Sequence, residues 1–422
     1  MTTGTLFRAL ALGDWRQFGE VDIQFHPRLT VLTGANGAGK TTLLKLLSRH
    51  TGWSFQFLST LSKKKGVEEY LSDVYEGRWA REIPRAKDSQ TIGRVEYTND
   101  QQGTLWVPLK TGPVYDIQVD GQLQIPGLFI PSHRPNYAYH PVDSIPTKLE
   151  PREQLFTNFA NTYRQTFNLN LRRQDSPSVR LKSALIALAV FGHGSEAVEA
   201  NDEALATFKG FEKVLRLVLP ETLGFERLKI RVPEVLLETR TGTFSLDGVS
   251  GGVASIIDSS WQLYLCSLFN KGFCAIFDEP ENHMHPQLQR SLLVNFMTAF
   301  PLAQFIVATH NPFIVTSVPD SNVYVLDYDQ NNKVNSQLLT ASNRAGSSNQ
   351  VLREVLGVPA TIPIWTEKRI EMLVTEHLSG DVTVEGLERL KAGMKEAGID
   401  ALFPETVSKK LSAMSAGSGD DS

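Results

Sequence analysis

Cysteine is scarce in this sequence, neither charge predominates, and no apolar run is long. The 422 residues include two cysteines, Cys266 and Cys274, and neither belongs to a Cys-x-x-Cys pair. That excludes a disulfide framework or a structural zinc as an organising principle; both residues sit among apolar neighbours, as small buried side chains do in a reducing compartment. Lys and Arg number 42 against 46 Asp and Glu, a formal net charge of −4, so nothing marks an overall nucleic-acid coat. The longest apolar stretches are Ala184 to Phe191 and Trp261 to Phe277, the second broken by Asn270-Lys271-Gly272. Both fall short of the roughly 18 residues of a membrane span. The N-terminal segment has no basic region leading into an apolar core, so no secretory signal is expected; the expected location is cytoplasmic, with no membrane bound directly and docking on a membrane partner left open. No internal repeat is present.

What is present is ordinary globular material, 41% apolar and 21% charged, enough for two or three domains. Residues 1 to 33 alternate and end in the apolar Leu29-Thr30-Val31-Leu32-Thr33, which predicts two or three strands. Leucines at 43, 44, 46 and 47 predict a helix over Thr41 to Arg49. Short strands with turn residues follow from Val95 to Ile130. The period then becomes helical, clearest over Arg152 to Arg164, Arg180 to Phe191 and Asp202 to Leu217. Strands return over Lys229 to Leu246, a helix starts near Gly252, and strands are expected at Phe273 to Phe277, Gln304 to Ala308, Asn322 to Leu326 and Val334 to Leu339. The expected division is 1–146, a first half with an antiparallel β lobe; 147–228, a helical insertion; 229–345, the second half; 346–414, a helical region; and 415–422, a mobile tail.

Gly34-Ala35-Asn36-Gly37-Ala38-Gly39-Lys40-Thr41 fits G-x-x-x-x-G-K-[ST], between an apolar strand and a leucine-rich helix. Glycines there let the backbone wrap a polyphosphate with its N–H groups turned inward, and the helix presents its positive end to the same anion. Lys40 suits the β- and γ-phosphate oxygens, Thr41 offers Mg²⁺ a hard oxygen, and Thr42 extends the cradle. Phe273-Cys274-Ala275-Ile276-Phe277-Asp278-Glu279 is an apolar strand ending in two acids at the edge where ligands sit in open α/β sheets. Asp278 is a candidate Mg²⁺ ligand through water, and Glu279 is the candidate to orient or deprotonate an attacking water. Gln304 to His310 is a third such strand, with His310 placed to contact the γ-phosphate and that water. Ser250-Gly251-Gly252, with Ser250 as a good N-cap, opens a further helix and forms a second anion-seeking end. One chain already has its phosphate loop, so this end makes sense reaching a neighbouring subunit's γ-phosphate. ATP and Mg²⁺ are therefore the expected ligands.

In that order these motifs resemble the ATPase head of the ABC superfamily, in its SMC/RecF/OLD-like (AAA_21-type) branch. The segment Asp278-Glu279-Pro280-Glu281-Asn282-His283-Met284-His285-Pro286 is similar to the D-E-P-E-x-H-x-H-P of OLD-like ATPases. The resemblance implies an α/β P-loop NTPase of ABC type, with a mixed β-sheet core, an antiparallel β lobe and an inserted helical region. In that reading His283 and His285 set the turn into the next helix; their spacing leaves a metal as the alternative, with no third ligand in sight. Three departures stand out. The roughly 200-residue insertion has no sustained heptads, so it is no long coiled coil. No convincing Q-loop glutamine is found, and Pro131-Ser132-His133-Arg134-Pro135 is the candidate for that role. Asp327 and Asp329 mimic the D-x-D of a Toprim nuclease, but a hairpin follows at once and no intrinsic nuclease is expected.

A stand-alone head of this size is similar to the ATPase subunits of bacterial anti-phage systems, of the PARIS kind first and the Septu kind second. That likeness implies a homo-oligomeric sensor and scaffold, a separate Toprim-type nuclease effector and a phage protein as trigger. A RecF-like DNA-repair ATPase and a transporter subunit are the alternatives. Lys63-Lys64-Lys65 and Arg172-Arg173 are candidate DNA or phage-protein contacts, or solvated loops. Trp15-Arg16-Gln17-Phe18 lies where related heads approach the adenine, with core packing the favoured reading for Phe18.

Overall fold

The computed structural model describes residues 4–64, 67–75, 77–85, 88–134, 139–146, 148–169, 176–339, 364–378, 383–404 and 406–407. The chain divides into two units, 1–351 and 352–422. In the first, eleven strands form one sheet. In chain order they are β1 (Phe7–Trp15), β2 (Phe18–Gln24), β3 (Leu29–Gly34), β4 (Ser89–Tyr97), β5 (Gln102–Pro108), β6 (Gln118–Asp120), β7 (Gly127–Ile130), β8 (Phe273–Asp278), β9 (Ala303–Ala308), β10 (Asn322–Tyr328) and β11 (Val334–Leu338). Their spatial order is β6-β5-β4-β1-β2-β11-β10-β3-β9-β8-β7. From β10 to β7 the strands run parallel; from β6 to β2 they run antiparallel. β11 joins the halves, antiparallel to β10 and parallel to β2 through Val334 opposite Phe18.

Sequence and burial agree along the parallel half. Every residue of β3, β8 and β9 is buried, which is why these strands read as predominantly apolar runs without alternation, broken by the buried Thr30, Thr33 and Gln304 and by the acid that ends β8. Helix α1 (Lys40–Ser48) follows β3 and buries Leu43, Leu44, Leu46 and Leu47. The helical stretch contains α2 (Arg152–Leu169), α3 (Pro177–His193) and α4 (Asp202–Val218). Ser176 caps α3, with Pro177 in its first turn, and Asn201 caps α4 by accepting from the Ala204 N–H at 2.8 Å. Helix α5 (Gly251–Ser267) is buried along almost its whole length, and α6 (Pro286–Ala299) follows β8. Lys182 of α3 is fully buried and bonded to Asp247, just ahead of α5, and to the His140 carbonyl; Glu234 lies 4.0 Å away. The insertion is thereby tied to the approach to α5 by a buried ion pair. Among the described residues no helix is long and apolar enough to cross a membrane.

Two expectations need correction. Lys63 and Lys64 lie not in a solvated loop but at the end of the strand Thr60–Lys64, paired antiparallel with Val67–Leu71, and Lys63 stands 3.8 Å from Glu68. Lys65, Arg172, Arg173 and the tail fall outside the described residues. Ser250 holds the N-cap position of α5 in extended conformation, but its hydroxyl takes no bond from the helix. The second unit contains helices Ile364–His377 and Val384–Glu396, packed around Leu373, Leu378, Leu390, Met394 and Ile399.

One buried histidine gives the fold a pH dependence. His50 bonds the Tyr97 hydroxyl at 2.9 Å and the Leu47 carbonyl at 3.2 Å, and meets the Phe7 ring edge-on. Burial pushes its pKa down to about 4, against the opposing pull of the Leu47 carbonyl. The unfolded chain therefore takes up a proton near pH 6.5 while the folded chain stays neutral to about 4. Stability supplied by the neutral ring is full above that window and drains away as pH falls through it, by an amount on the order of a few kcal/mol. The urea midpoint is expected to fall between pH 7 and pH 5, and to fall less in His50→Gln. Equal pH slopes in the two proteins would refute this origin.

Candidate functional site

The parallel strands carry their chemistry to one edge. Asp278 at the end of β8 is level with Ala308 at the end of β9, and Ala308 with Leu32 of β3. Three of the loops that leave this edge hold Gly34 to Lys40, Glu279 to His285, and Thr309 to Asn311.

In the first loop, Gly34, Gly37 and Gly39 all take positive φ, a region that side chains resist. At Gly39 space is also decisive, because a Cβ there would collide with the Phe18 ring. Phe18 is fully buried and stacked on Trp15 at 5.8 Å, so it is core packing beneath the loop, as favoured above. The Tyr328 hydroxyl donates to the Gly37 carbonyl at 3.1 Å and braces the loop from β10. Lys40 folds back over the loop, its ammonium 2.9 Å from the Gly34 carbonyl and 3.0 Å from that of Ala35. Burial lowers its pKa, while Glu279, Asp278 and Glu281 favour the cation. A guest phosphate would exchange two carbonyl dipoles for full negative charge.

Thr41 is the second residue of α1, and its hydroxyl lies 3.2 and 3.0 Å from the two carboxylate oxygens of Asp278. A hydroxyl and a carboxylate side by side form a hard oxygen set suited to Mg²⁺. Burial raises the pKa of Asp278, opposed by the Thr41 bond. A dication entering there would relieve that desolvation, so the donors fit the ion.

Glu279 sits at φ 46°, a left-handed conformation rare for a side-chain-bearing residue. Its N–H donates to the Ala308 carbonyl at 2.8 Å. Its carboxylate is held on both oxygens, by His310 Nδ1 at 3.1 Å and by Asn282 Nδ2 at 3.0 Å. Glu281 is buried, receives the Thr309 hydroxyl on one oxygen, and has its pKa raised by burial. The H-x-H pair does shape the next turn: His283 has positive φ, and His285 caps α6 through Nδ1, which accepts from the Gln287 N–H at 3.3 Å. Asp329 closes the hairpin after β10, its carboxylate accepting from the Asn331 and Lys333 N–H groups.

Lys40, Thr41, Asp278, Glu279 and His310 thus gather at one edge. The glycines Gly251 and Gly252 face His283 and Met284 instead, and Ser250 and Gly251 are exposed. Sequence reading had assigned no role to Asn282, Glu281 or Tyr328. The first two lie inside the acidic motif, where a signal was present; Tyr328 lies 291 positions from the glycine it braces, where none was.

Two family models match. One, described as AAA domain, spans 9–183 and includes the glycine loop; the other, described as AAA domain, putative AbiEii toxin, Type IV TA system, spans 275–316 and includes Asp278, Glu279 and His310. The Septu protein PtuA of Bacillus mycoides is 25% identical over 185 residues, 43% of this chain and 24% of that protein. The retron Vc95 probable ATPase of Vibrio cholerae is 31% identical over 52 residues, 12% of this chain and 10% of that one. The chain thus spans a quarter or less of the length of these relatives. The SMC head domain of Thermotoga maritima covers 79% of this chain and 99% of its own, at 12% identity and a TM-score of 0.41. Sheet order, glycine loop and loop edge together define an α/β P-loop NTPase fold.

Proposed function

We propose that the protein binds ATP with Mg²⁺ and hydrolyses it at sites shared between two copies of the chain. The observation that carries this reading is the convergence of Thr41 on Asp278 and of His310 on Glu279 beside the glycine loop. Gly34 to Thr42 hold the phosphates, with Lys40 turning from the Gly34 and Ala35 carbonyls to the β- and γ-oxygens. Thr41 and Asp278 hold the metal, which when bound neutralises charge on those oxygens. Glu279 accepts a proton from water as that water's oxygen bonds to the γ-phosphorus and the bond to the ADP oxygen breaks, the electron pair leaving with ADP. Asn282 and His310 fix the carboxylate for that transfer, and His310 keeps Nε2 for the γ-phosphate.

The biological role we infer is that of sensor and scaffold in a bacterial anti-phage system, controlling a separate Toprim-type nuclease and answering to a phage protein. The matches to PtuA and to the retron ATPase support a defence role, and the Septu kind is the one they bear on. A PARIS-like subunit such as AriA is the other form of this proposal. Strong, salt-dependent DNA affinity of the purified chain would favour a RecF-like role instead.

Subunit mixing tests the shared site. The exposed start of α5 is free to meet another chain, and an isologous pairing would place each Ser250-Gly251-Gly252 against the partner's γ-phosphate. Ser250→Arg puts a bulky cation at that approach while sparing the glycine loop. Lys40→Ala chains mixed with Ser250→Arg chains are expected to recover hydrolysis that neither shows alone. A mixture no more active than its parts, in a protein that stays monomeric with ATP and Mg²⁺, refutes the shared site.

A further inference from the structure

The loop after β7, the segment expected in the Q-loop role, reaches the site. β7 runs parallel to β8, with Ile130 level with Phe277, so the chain leaves β7 beside the catalytic loop. Arg134 ends that exit. Its guanidinium donates to the Glu279 carbonyl at 3.2 Å, to the Pro280 carbonyl at 3.1 Å, and to the Ser255 hydroxyl in the second turn of α5. Burial lowers its pKa, while Tyr163, Asp258, Glu281 and Asp278 favour the cation. Two residues earlier, the Ser132 carbonyl accepts from Asn282 Nδ2 at 3.4 Å, the amide that also holds the Glu279 carboxylate.

We propose that Arg134 is a positioning residue: its planar fork locks the left-handed main chain at Glu279 and joins the catalytic loop to the helix that begins at Ser250-Gly251-Gly252. The chemistry is specific. Three acceptors on two different elements lie around one guanidinium, which presents several donors in a fixed plane, whereas a lysine ammonium is a point charge without that fork. A left-handed residue bearing a side chain persists only where its surroundings over-determine it. Here the Ala308 carbonyl holds the Glu279 N–H and Arg134 holds its C=O, one on each side of the strained residue. The same cation touches Ser255, so movement of α5 on meeting a partner chain is transmitted to the Glu279 backbone. Of the segment expected in the Q-loop role, Pro135 lies outside the described residues, and Arg134 is the residue whose side chain grips the catalytic-loop backbone.

This inference rests on the ATPase reading for its kinetic consequence but not for its structural one, and the test separates the two. Arg134→Lys and Ser255→Ala are compared with the full-length wild type. Affinity for a fluorescent ATP analogue is expected to stay within about twofold, while turnover falls by about tenfold or more in Arg134→Lys and in the same direction in Ser255→Ala. The double variant should be no worse than Arg134→Lys alone, because both remove one link. Amide exchange without nucleotide should rise over residues 279–284 and stay unchanged over 34–41. Wild-type turnover in Arg134→Lys, equal losses of affinity and turnover, or unchanged exchange over 279–284 would each overturn the proposal. If the wild type itself does not hydrolyse ATP, the ATPase reading falls, and the exchange comparison still decides the role of Arg134.

Discussion

Replacing Lys40 by alanine is expected to remove ATP binding, with a loss of affinity of about 100-fold or more and a melting temperature close to wild type. The magnitude follows from the charge-assisted bonds an ammonium makes to phosphate oxygens, each worth about 1.5–3 kcal/mol when the partner would otherwise be left unpaired. The small effect on folding follows from what Lys40 does without nucleotide. It donates to two loop carbonyls, Gly34 and Ala35, but sits desolvated enough that burial lowers its pKa, so its net contribution to the empty fold is slight. Titration with a fluorescent ATP analogue beside a thermal melt measures both. Unchanged affinity would remove the phosphate assignment of the entire glycine loop.

Glu279→Gln should separate binding from chemistry. The amide keeps the shape and can still meet His310 and Asn282, but it cannot accept the proton. Nucleotide affinity should survive, hydrolysis should fall by about 10² or more, and ATP-bound chains should accumulate as paired species on size-exclusion with light scattering. Turnover at the wild-type rate would show that another group takes the proton. Glu281, buried nearby with its pKa raised by desolvation, would then be the first to test.

The parts of this site that could be read in the sequence are those whose cause is local. A strand buried on both faces is mostly apolar, a loop wrapping phosphate must be glycine-rich, and carboxylates at a strand end declare themselves; β3, β8 and β9 and their loops supply these signals between them, with Thr30, Thr33 and Gln304 as the buried polar exceptions. What could not be read depends on contacts between distant positions. Tyr328 meets Gly37 across 291 residues, and Arg134 meets Glu279 across 145. The strands Thr60–Lys64 and Val67–Leu71 carry lysines and glutamates rather than an apolar run, so they read as loop. Ser250 has the residue type of a cap without the bond, because type gives propensity and not geometry.

The position of β3 has a consequence during synthesis. Its sheet neighbours are β9 and β10, so the strand that leads into the glycine loop emerges from the ribosome long before either flank exists. The antiparallel pairs among β1, β2, β4, β5 and β6 are all encoded by Asp120, and of these strands β2 still waits for β11 on its other side. Until Tyr328 is translated, β3 therefore lacks one or both of its sheet neighbours, while the strand pairs of the antiparallel lobe are already encoded. Long-range pairing of this kind is slow and leaves apolar strands uncovered. For this protein, the exposure falls on β3 and α1, the two elements that hold the glycine loop between them.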